Sequence, residues 1–268
     1  MVGDGIRRMS GDDPFSEIAP YYDRIMDFVN YDRWYMVATA LADLLPSGFR
    51  HLDAACGTGT LLKRLRRGGW DSVGMDLSLG MLHAGRRGID APAPVAVADL
   101  RALPVQENVD YVTCLFDSLN FLLDLEDVVR AFREVSGALA PHGLFYFDVV
   151  TERMVTEHFE GQEWTENSGR FSTTWRSSYS RKTSVTETLV RITNGAGGVF
   201  RERVYEQEAI EGALAGAGLT LLGSFDAQSW KTPGKKTVRI DFVAVKGTTR
   251  SLQKQFVKVR DQLRERLR

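Results

Sequence analysis

Cysteine and histidine are scarce: the 268 residues hold two of the former, Cys56 and Cys114, and four of the latter. Two thiols so far apart make neither a disulfide framework nor a zinc site, and they point to a reducing, cytoplasmic compartment. Charge of one sign is missing too. Lys plus Arg number 34 against 35 Asp plus Glu, for a formal net charge of -1. No global basic field exists to recruit nucleic acid or an anionic membrane. No apolar run approaches the roughly 20 residues that span a bilayer, and the start, MVGDGIRRMSGDDPF, lacks the apolar segment of a secretory signal. Residues 1–14 read as a mobile tail. Internal repeats and low-complexity segments are absent as well.

What is present is alternation. Residues 15–45 carry a helical pattern that ends at Pro46 and Gly48. Strands then alternate with helices: FRHLDAA, TGTLLKRLRRG, DSVGMDLS, LGMLHAGRRG, APVAVADL and VDYVTCLFD. A helix over LEDVVRAFREVSGALAPHG, stopped by Pro141 and Gly143, leads to the strand LFYFDVV. Strands and helices at this spacing form βα units around a mainly parallel sheet covered on both faces.

Residues 151–206 break the rhythm. GRFSTTWRSSYS puts Phe171, Trp175 and Tyr179 on one face of a period-two pattern, and TSVTETLVRIT and VFRERVYEQ follow after short turns. This predicts an antiparallel meander inserted into the α/β domain, as acceptor wall or dimer surface. The α/β pattern resumes with the helix EAIEGALAGAG and the strands LTLLGSFDA and KTVRIDFVAVK, joined as a hairpin through Pro233 and Gly234. The expected organisation is a main domain over 15–150 and 207–247, the insert over 151–206, and a C-terminal amphipathic helix over 248–268. That helix carries Leu252, Phe256, Val259, Leu263 and Leu267 on one stripe, which suits docking on its own domain better than a homodimer contact.

The stretch HLDAACGTGTL, residues 51–61, places Asp53 at the end of an apolar run and a glycine turn after it. A phosphate-binding loop needs Lys followed by Ser or Thr, and Thr60 and Leu61 stand there instead. The dinucleotide fingerprint begins with Gly57 and Gly59 but has Leu62 where its third glycine belongs. A carboxylate beside the turn repels phosphate and accepts hydrogen bonds from an ammonium group. S-adenosylmethionine has an ammonium and a sulfonium and no phosphate. Asp76 ends the second strand, suited to ribose hydroxyls, with Leu77, Met81 and Leu82 after it to cover an adenine face. Asp99 and the Leu100 N–H follow the third strand, placed to meet the adenine edge. Ligands bind at such strand ends in open α/β sheets.

The chain resembles the class I S-adenosylmethionine-dependent methyltransferases, in particular bacterial small-molecule enzymes similar to sugar N-methyltransferases. LDAACGTG at 52–59, GMDLSLGML at 74–82 and FDSLNFL at 116–122 carry the likeness, with YYDRIM at 21–26 and YDRWY at 31–35. The resemblance implies a Rossmann-like, seven-stranded, mostly parallel sheet with helices on both faces plus the inserted meander. It implies Asp53, Ala54, Gly57 and Gly59 at the methionine end of the cofactor, Asp76 at the ribose, Leu77, Met81, Asp99 and Leu100 at the adenine, and Phe116 beside them. Tyr22, Tyr31 and Trp34 would form an N-terminal lid.

The implied reaction is methyl transfer to N or O of a small molecule by in-line displacement, which needs positioning and water exclusion and no metal. Phe116, Asp117 and Asn120 are the acceptor-site candidates, with Asn120 as a helix cap the competing reading. No general base is evident. His158 is the one histidine near the expected acceptor mouth, and Arg170, Arg176 and Arg181 could receive an anion. FDSLN lacks the two prolines of nucleobase amino methyltransferases. Two rival readings are a tRNA or protein methyltransferase and a non-enzymatic cofactor-binding module.

Overall fold

The structure, a computed structural model, describes residues 13–87, 92–106, 109–193, 195–248 and 252–267. The expected mobile tail thus falls, up to residue 12, outside the described residues.

The predicted N-terminal helix is three helices. Asp13 caps α1 (Pro14–Ile18) by accepting from the Phe15 and Ser16 N–H groups. Pro20 follows, and the chain turns into α2 (Tyr22–Ile25). Asn30 caps α3 (Tyr31–Ala42) by accepting from the Arg33 N–H. Proline and caps set these breaks, which a continuous apolar period conceals.

The main sheet holds β1 (Arg50–Ala54), β2 (Asp71–Asp76), β3 (Val95–Val97), β4 (Val109–Cys114), β5 (Leu139–Val150), β10 (Leu219–Asp226) and β11 (Arg239–Lys246). Its order is β10-β11-β5-β4-β1-β2-β3, and β11 alone runs against its neighbours. The order reverses between β1 and β4, which opens a crevice at their carboxyl ends. Helices α4 (Thr60–Arg67), α5 (Leu79–Arg86), α6 (Leu125–Ala138) and α8 (Gln207–Gly216) complete the α/β units.

Pro141 and Gly143 do not end α6 as the spacing suggests. The helix stops when Leu139 turns extended, and β5 starts there. The β4–β5 register then jumps from Val109–Leu139 to Tyr111–Leu144, with His142 at φ +65° inside the bulge.

Apolar side chains fill both faces of the sheet. On one, Phe132 of α6 meets Phe145 and Phe147, and Phe147 stacks on its cross-strand partner Phe242 at 5.0 Å. On the other, Trp34, Val37 and Leu41 of α3 pack with Leu61 and Leu65 of α4. The C-terminal α9 (Gln253–Arg266) buries Phe256, Val259 and Leu263 in that same layer, the intramolecular arrangement its stripe suggested. Each such buried side chain contributes about 1.5–3 kcal/mol.

The insert opens with α7 (Glu152–His158) and has four strands rather than three: β6 (Glu163–Asn167), β7 (Ser172–Ser180), β8 (Val185–Ile192) and β9 (Gly197–Arg203), antiparallel in chain order. Its inner face carries Trp175, Val190 and Phe200 into a third apolar cluster with Ile18, Tyr22, Ile25 and Met81. There Phe15 meets Phe121 and Phe200 edge-on at 5.1 and 5.0 Å.

Candidate functional site

The turn after β1 needs several left-handed residues in succession: Ala55, Gly57 and Gly59 have φ of +58°, +58° and +74°. Glycine takes this conformation at little cost. Gly59 then caps α4 without a side chain, leaving the first N–H groups of that helix without a capping side-chain acceptor.

Two other glycines bring neighbouring elements against the turn. A Cβ on Gly85 of α5 would stand 2.0 Å from the Thr58 carbonyl oxygen. A Cβ on Gly74 of β2 would meet Leu62 at 2.6 Å and Cys56 at 2.7 Å. The close helix–strand approach that a third fingerprint glycine permits is thus reached here from β2. Leu62, at that third position, packs over Gly74.

Asp53 is 3% exposed and accepts from the Thr113 hydroxyl at 2.8 Å. Burial pushes its carboxyl up to about 7, against the Thr113 bond, with the Asp76 charge adding to the rise. Asp76 accepts the Gly57 N–H at 2.7 Å and the Ser78 N–H at 2.8 Å. Burial raises its pKa and these two bonds lower it. Leu77 beside it is half exposed, whereas Met81 is buried beneath the turn. Ala54 is fully buried at the end of β1.

Asp99 differs from these. Both of its oxygens accept from Arg101, which also reaches Asp127, and the Arg101 hydrogen bond holds the Asp99 carboxyl below its usual range. Leu100 packs against the first apolar layer. Asp99 is therefore an ion-paired surface carboxylate rather than an open acceptor in this structure.

The N-terminal helices roof the turn. Thr58 donates to Asp23 of α2. Ser16 lies 3.4 Å from Ser78, hydroxyl to hydroxyl, where Gly80 leaves room for α1. Tyr22 is buried, and burial, with the neighbouring Tyr31 and Asp117, raises its pKa. Tyr31, Trp34 and Phe116 form an aromatic group with centroids 5.3–6.4 Å apart.

After β4, Phe116 and Asp117 both adopt left-handed backbone, φ +62° and +54°, though neither is glycine. Such residues cost about 1–3 kcal/mol each and persist where the surroundings dictate them. Here Asp148, fully buried in β5, dictates them. It accepts the Phe116 N–H at 3.2 Å and the Asp117 N–H at 2.7 Å, and also binds Trp34 Nε1 at 2.9 Å and Arg239 at 2.9 Å. Arg239 reaches Asp117 at 3.2 Å and lies over the Trp34 and Phe116 rings. Sequence reasoning missed both Asp148 and Arg239. Each is a charge within an apolar strand, LFYFDVV or VRIDFVAV, which is the signal that marks them.

Asn120 lies in a 3-10 turn, Ser118–Phe121, and is fully buried. It donates to the Arg203 carbonyl at 2.8 Å and accepts from the Val150 N–H at 3.1 Å. It caps no helix; it clasps β9 to the end of β5. The insert's aromatics point inward or along the sheet: Phe171 meets Tyr21, Trp175 stacks on Trp164, and Tyr179 donates to Glu152. Arg176 and Arg181 are exposed and already paired with Glu163 and Glu160. Arg170 and His158 are exposed as well. His51 is buried between Ser72 and Thr113, at 3.0 Å from each hydroxyl. Among the described residues no group of three or more His, Cys, Asp or Glu side chains could hold a metal ion. No helix among them is long and apolar enough to cross a membrane.

The structure thus gathers Asp53, Gly57, Gly59 and Asp76 around one strand-end crevice, with Phe116 and Asp117 after the neighbouring β4 and Tyr31 and Trp34 packed on Phe116. Residues 52–143 match a family model described as a methyltransferase domain. YqeM of Bacillus subtilis (strain 168), provisionally named a methyltransferase, is 31% identical over 166 residues, 61% of this chain and 66% of its own length. A Geobacillus sp. (strain WCH70) protein, likewise provisionally named, is 29% identical over 87% of this chain and 99% of its own length. A dTDP-4-amino-2,3,4,6-tetradeoxy-D-glucose N,N-dimethyltransferase of Saccharopolyspora spinosa is 32% identical over 37% of this chain and 40% of its own. Among solved structures, an S-adenosylmethionine-dependent methyltransferase of Clostridium acetobutylicum superposes with a TM-score of 0.75 at 24% identity, covering 88% of this chain and all of that one.

Proposed function

We propose that this chain, a class I S-adenosylmethionine-dependent methyltransferase, methylates N or O of a small-molecule acceptor by in-line displacement. The cofactor supplies, when bound, a methyl group on a positively charged sulfur. The residues present suit it. The left-handed glycines leave the turn without Cβ atoms, and the buried carboxyl of Asp53 is a partner for an ammonium. Asp76 keeps a free lone pair on each oxygen beyond the two N–H groups it binds, available to ribose hydroxyls. Leu77 offers an exposed apolar surface to adenine. Asp99, tied to Arg101, contributes at the adenine edge only if that ion pair opens, so the Leu100 N–H is the stronger candidate there.

One observation supports a small acceptor above all. The insert's inner face, with Phe200 against Phe15 and Phe15 against Phe121, closes over the side of the crevice next to Phe116 and Asp117. This enclosure favours the acceptor-wall role for the insert over a dimer surface. It also disfavours an RNA or protein substrate. The aromatic walls exclude water, and the strained Phe116–Asp117 backbone fixes the groups that orient the acceptor. The aminosugar enzyme among the relatives makes nitrogen the preferred target. The unpaired Cys56 and Cys114 support a cytoplasmic location.

Isotope transfer tests the reading. Purified protein with methyl-labelled cofactor and a small-metabolite pool should label a small molecule. Label appearing only in added tRNA or protein would overturn it.

A further inference from the structure

Glu202 of β9 stands apart from the other carboxylates around the crevice. Half-buried, its carboxylate makes no hydrogen bond and no ion pair among the described residues, whereas Asp53, Asp76, Asp117 and Asp148 each hold at least one. Its place in the sheet fixes where it looks. It shares a face with Phe200, two residues earlier, which packs inward on Phe15. The Asn120–Arg203 hydrogen bond at 2.8 Å, and that from Arg203 to the Leu123 carbonyl at 2.9 Å, pin this end of β9 to the turn carrying Asp117.

Asp117 and Arg239 are the charged groups that act on Glu202 there, with Asp148 behind them. Asp117 and Asp148 already engage Arg239. Arg239 thus pairs with two of the three carboxyl groups and leaves Glu202 without a cation. A second observation points the same way. Thr186 on β8 is directly opposite Glu202, on the same face, where paired Cβ atoms lie about 5 Å apart. Thr186 is 2% exposed and its hydroxyl has no partner. A buried hydroxyl left unpaired costs about 1–3 kcal/mol, so its natural complement is a polar ligand group.

We propose that Glu202 and Thr186 form the acceptor's nitrogen subsite, that the acceptor is an amine entering as its ammonium ion, and that Glu202 takes the proton. The inference rests on the methyltransferase reading. An ammonium donates to both side chains and favours the ionised form of Glu202; a neutral alcohol only donates. A Glu202 oxygen receives one proton from the nitrogen and becomes a carboxylic acid. The freed nitrogen lone pair forms the new N–C bond as the methyl–sulfur bond breaks, its electron pair staying on sulfur as a neutral thioether. The product is a methylated ammonium, and Glu202 returns its proton to water. Burial, with the Asp117 charge, pushes the Glu202 carboxyl up to about 8 against the effect of Arg239, which suits a base working near neutrality.

The test compares wild type with Glu202→Gln and Thr186→Val, using methyl-labelled cofactor and matched panels of primary amines and the corresponding alcohols. Wild type should label amines. Glu202→Gln should keep S-adenosylhomocysteine affinity within about twofold, which shows an intact fold. It should lose about 100-fold in kcat/KM for the amine at pH 7 and recover most of it near pH 10, where the neutral fraction of the free amine is several hundred-fold larger. Calorimetry with cyclohexylammonium on enzyme loaded with S-adenosylhomocysteine should show about tenfold weaker binding in Glu202→Gln and a smaller loss in Thr186→Val. Label on alcohols only, label on none of the amines, or a Glu202→Gln profile matching wild type would overturn the proposal while leaving the methyltransferase reading intact. Folded wild type that fails to bind S-adenosylhomocysteine would remove both.

Discussion

The carboxylate of Asp76 accepts the backbone N–H of Gly57 across 2.7 Å, joining the end of β2 to the turn that follows β1. The residue expected to hold the cofactor's ribose therefore also shapes the turn expected to hold its methionine end. Asp76→Ala should lower S-adenosylhomocysteine affinity more than 100-fold while the far-ultraviolet spectrum stays native. Asp76→Asn, which still accepts from Gly57, should lose less. Wild-type affinity in the alanine variant would take Asp76 out of the site.

Asp53 makes cofactor binding depend on pH. Burial keeps its carboxyl neutral below about pH 7, and a bound ammonium favours the ionised form. Affinity for S-adenosylhomocysteine should be full above about pH 8 and fall as the pH drops through 7, with proton release on binding near pH 6.5. Folding of the free protein has the opposite sign. The stabilisation from a raised carboxyl is complete below its ordinary value of 3.8 and is lost as pH rises through about 7. Calorimetry in buffers of differing ionisation enthalpy measures the proton. Affinity that does not change from pH 5.5 to 8.5 would mean that Asp53 meets no cation.

His51 gives a second pH dependence, in stability alone. Burial lowers its imidazole from 6.5 to about 3. Its contribution is whole above pH 6.5 and declines by about 1.4 kcal/mol per unit as the pH falls toward 3, because only the unfolded chain takes up the proton. Between pH 6 and 4 this slope opposes that of Asp53, so His51→Gln should gain about 1.4 kcal/mol per unit relative to wild type in denaturant melts as the pH falls. A variant with the wild-type slope would place the acid sensitivity elsewhere.

Asn120 was legible as important and illegible as to why. Its two partners, Arg203 and Val150, are distant in sequence, so no local pattern reports the clasp. Asn120→Ala leaves two buried backbone groups unpaired and should cost about 2–4 kcal/mol. It should slow methyl transfer through a looser β9 while S-adenosylhomocysteine affinity stays near normal. An unchanged denaturation midpoint would show that the clasp carries no energy.

The same distinction runs through the fold. The parallel sheet was readable because each of its strands is a short apolar run between helices of clear period, and the glycine turn because its chemistry is local. Strand β6, EWTEN, was not, since its residues alternate between exposed and half-buried and carry no apolar stripe. The bulge at Pro141–Gly143 imitates a helix stop because proline and glycine mark both. Asp148, Arg239 and Glu202 escaped notice because their roles exist only once β5, β9 and β11 are brought to one end of the sheet.

Calorimetric titration of the folded wild-type protein with S-adenosylhomocysteine at pH 8 tests the central claim most directly. One site of micromolar affinity, abolished by Asp76→Ala and indifferent to added NAD or ATP, is the predicted result. No heat with S-adenosylhomocysteine, or saturable binding of a phosphate-bearing nucleotide in the same crevice, would contradict the account.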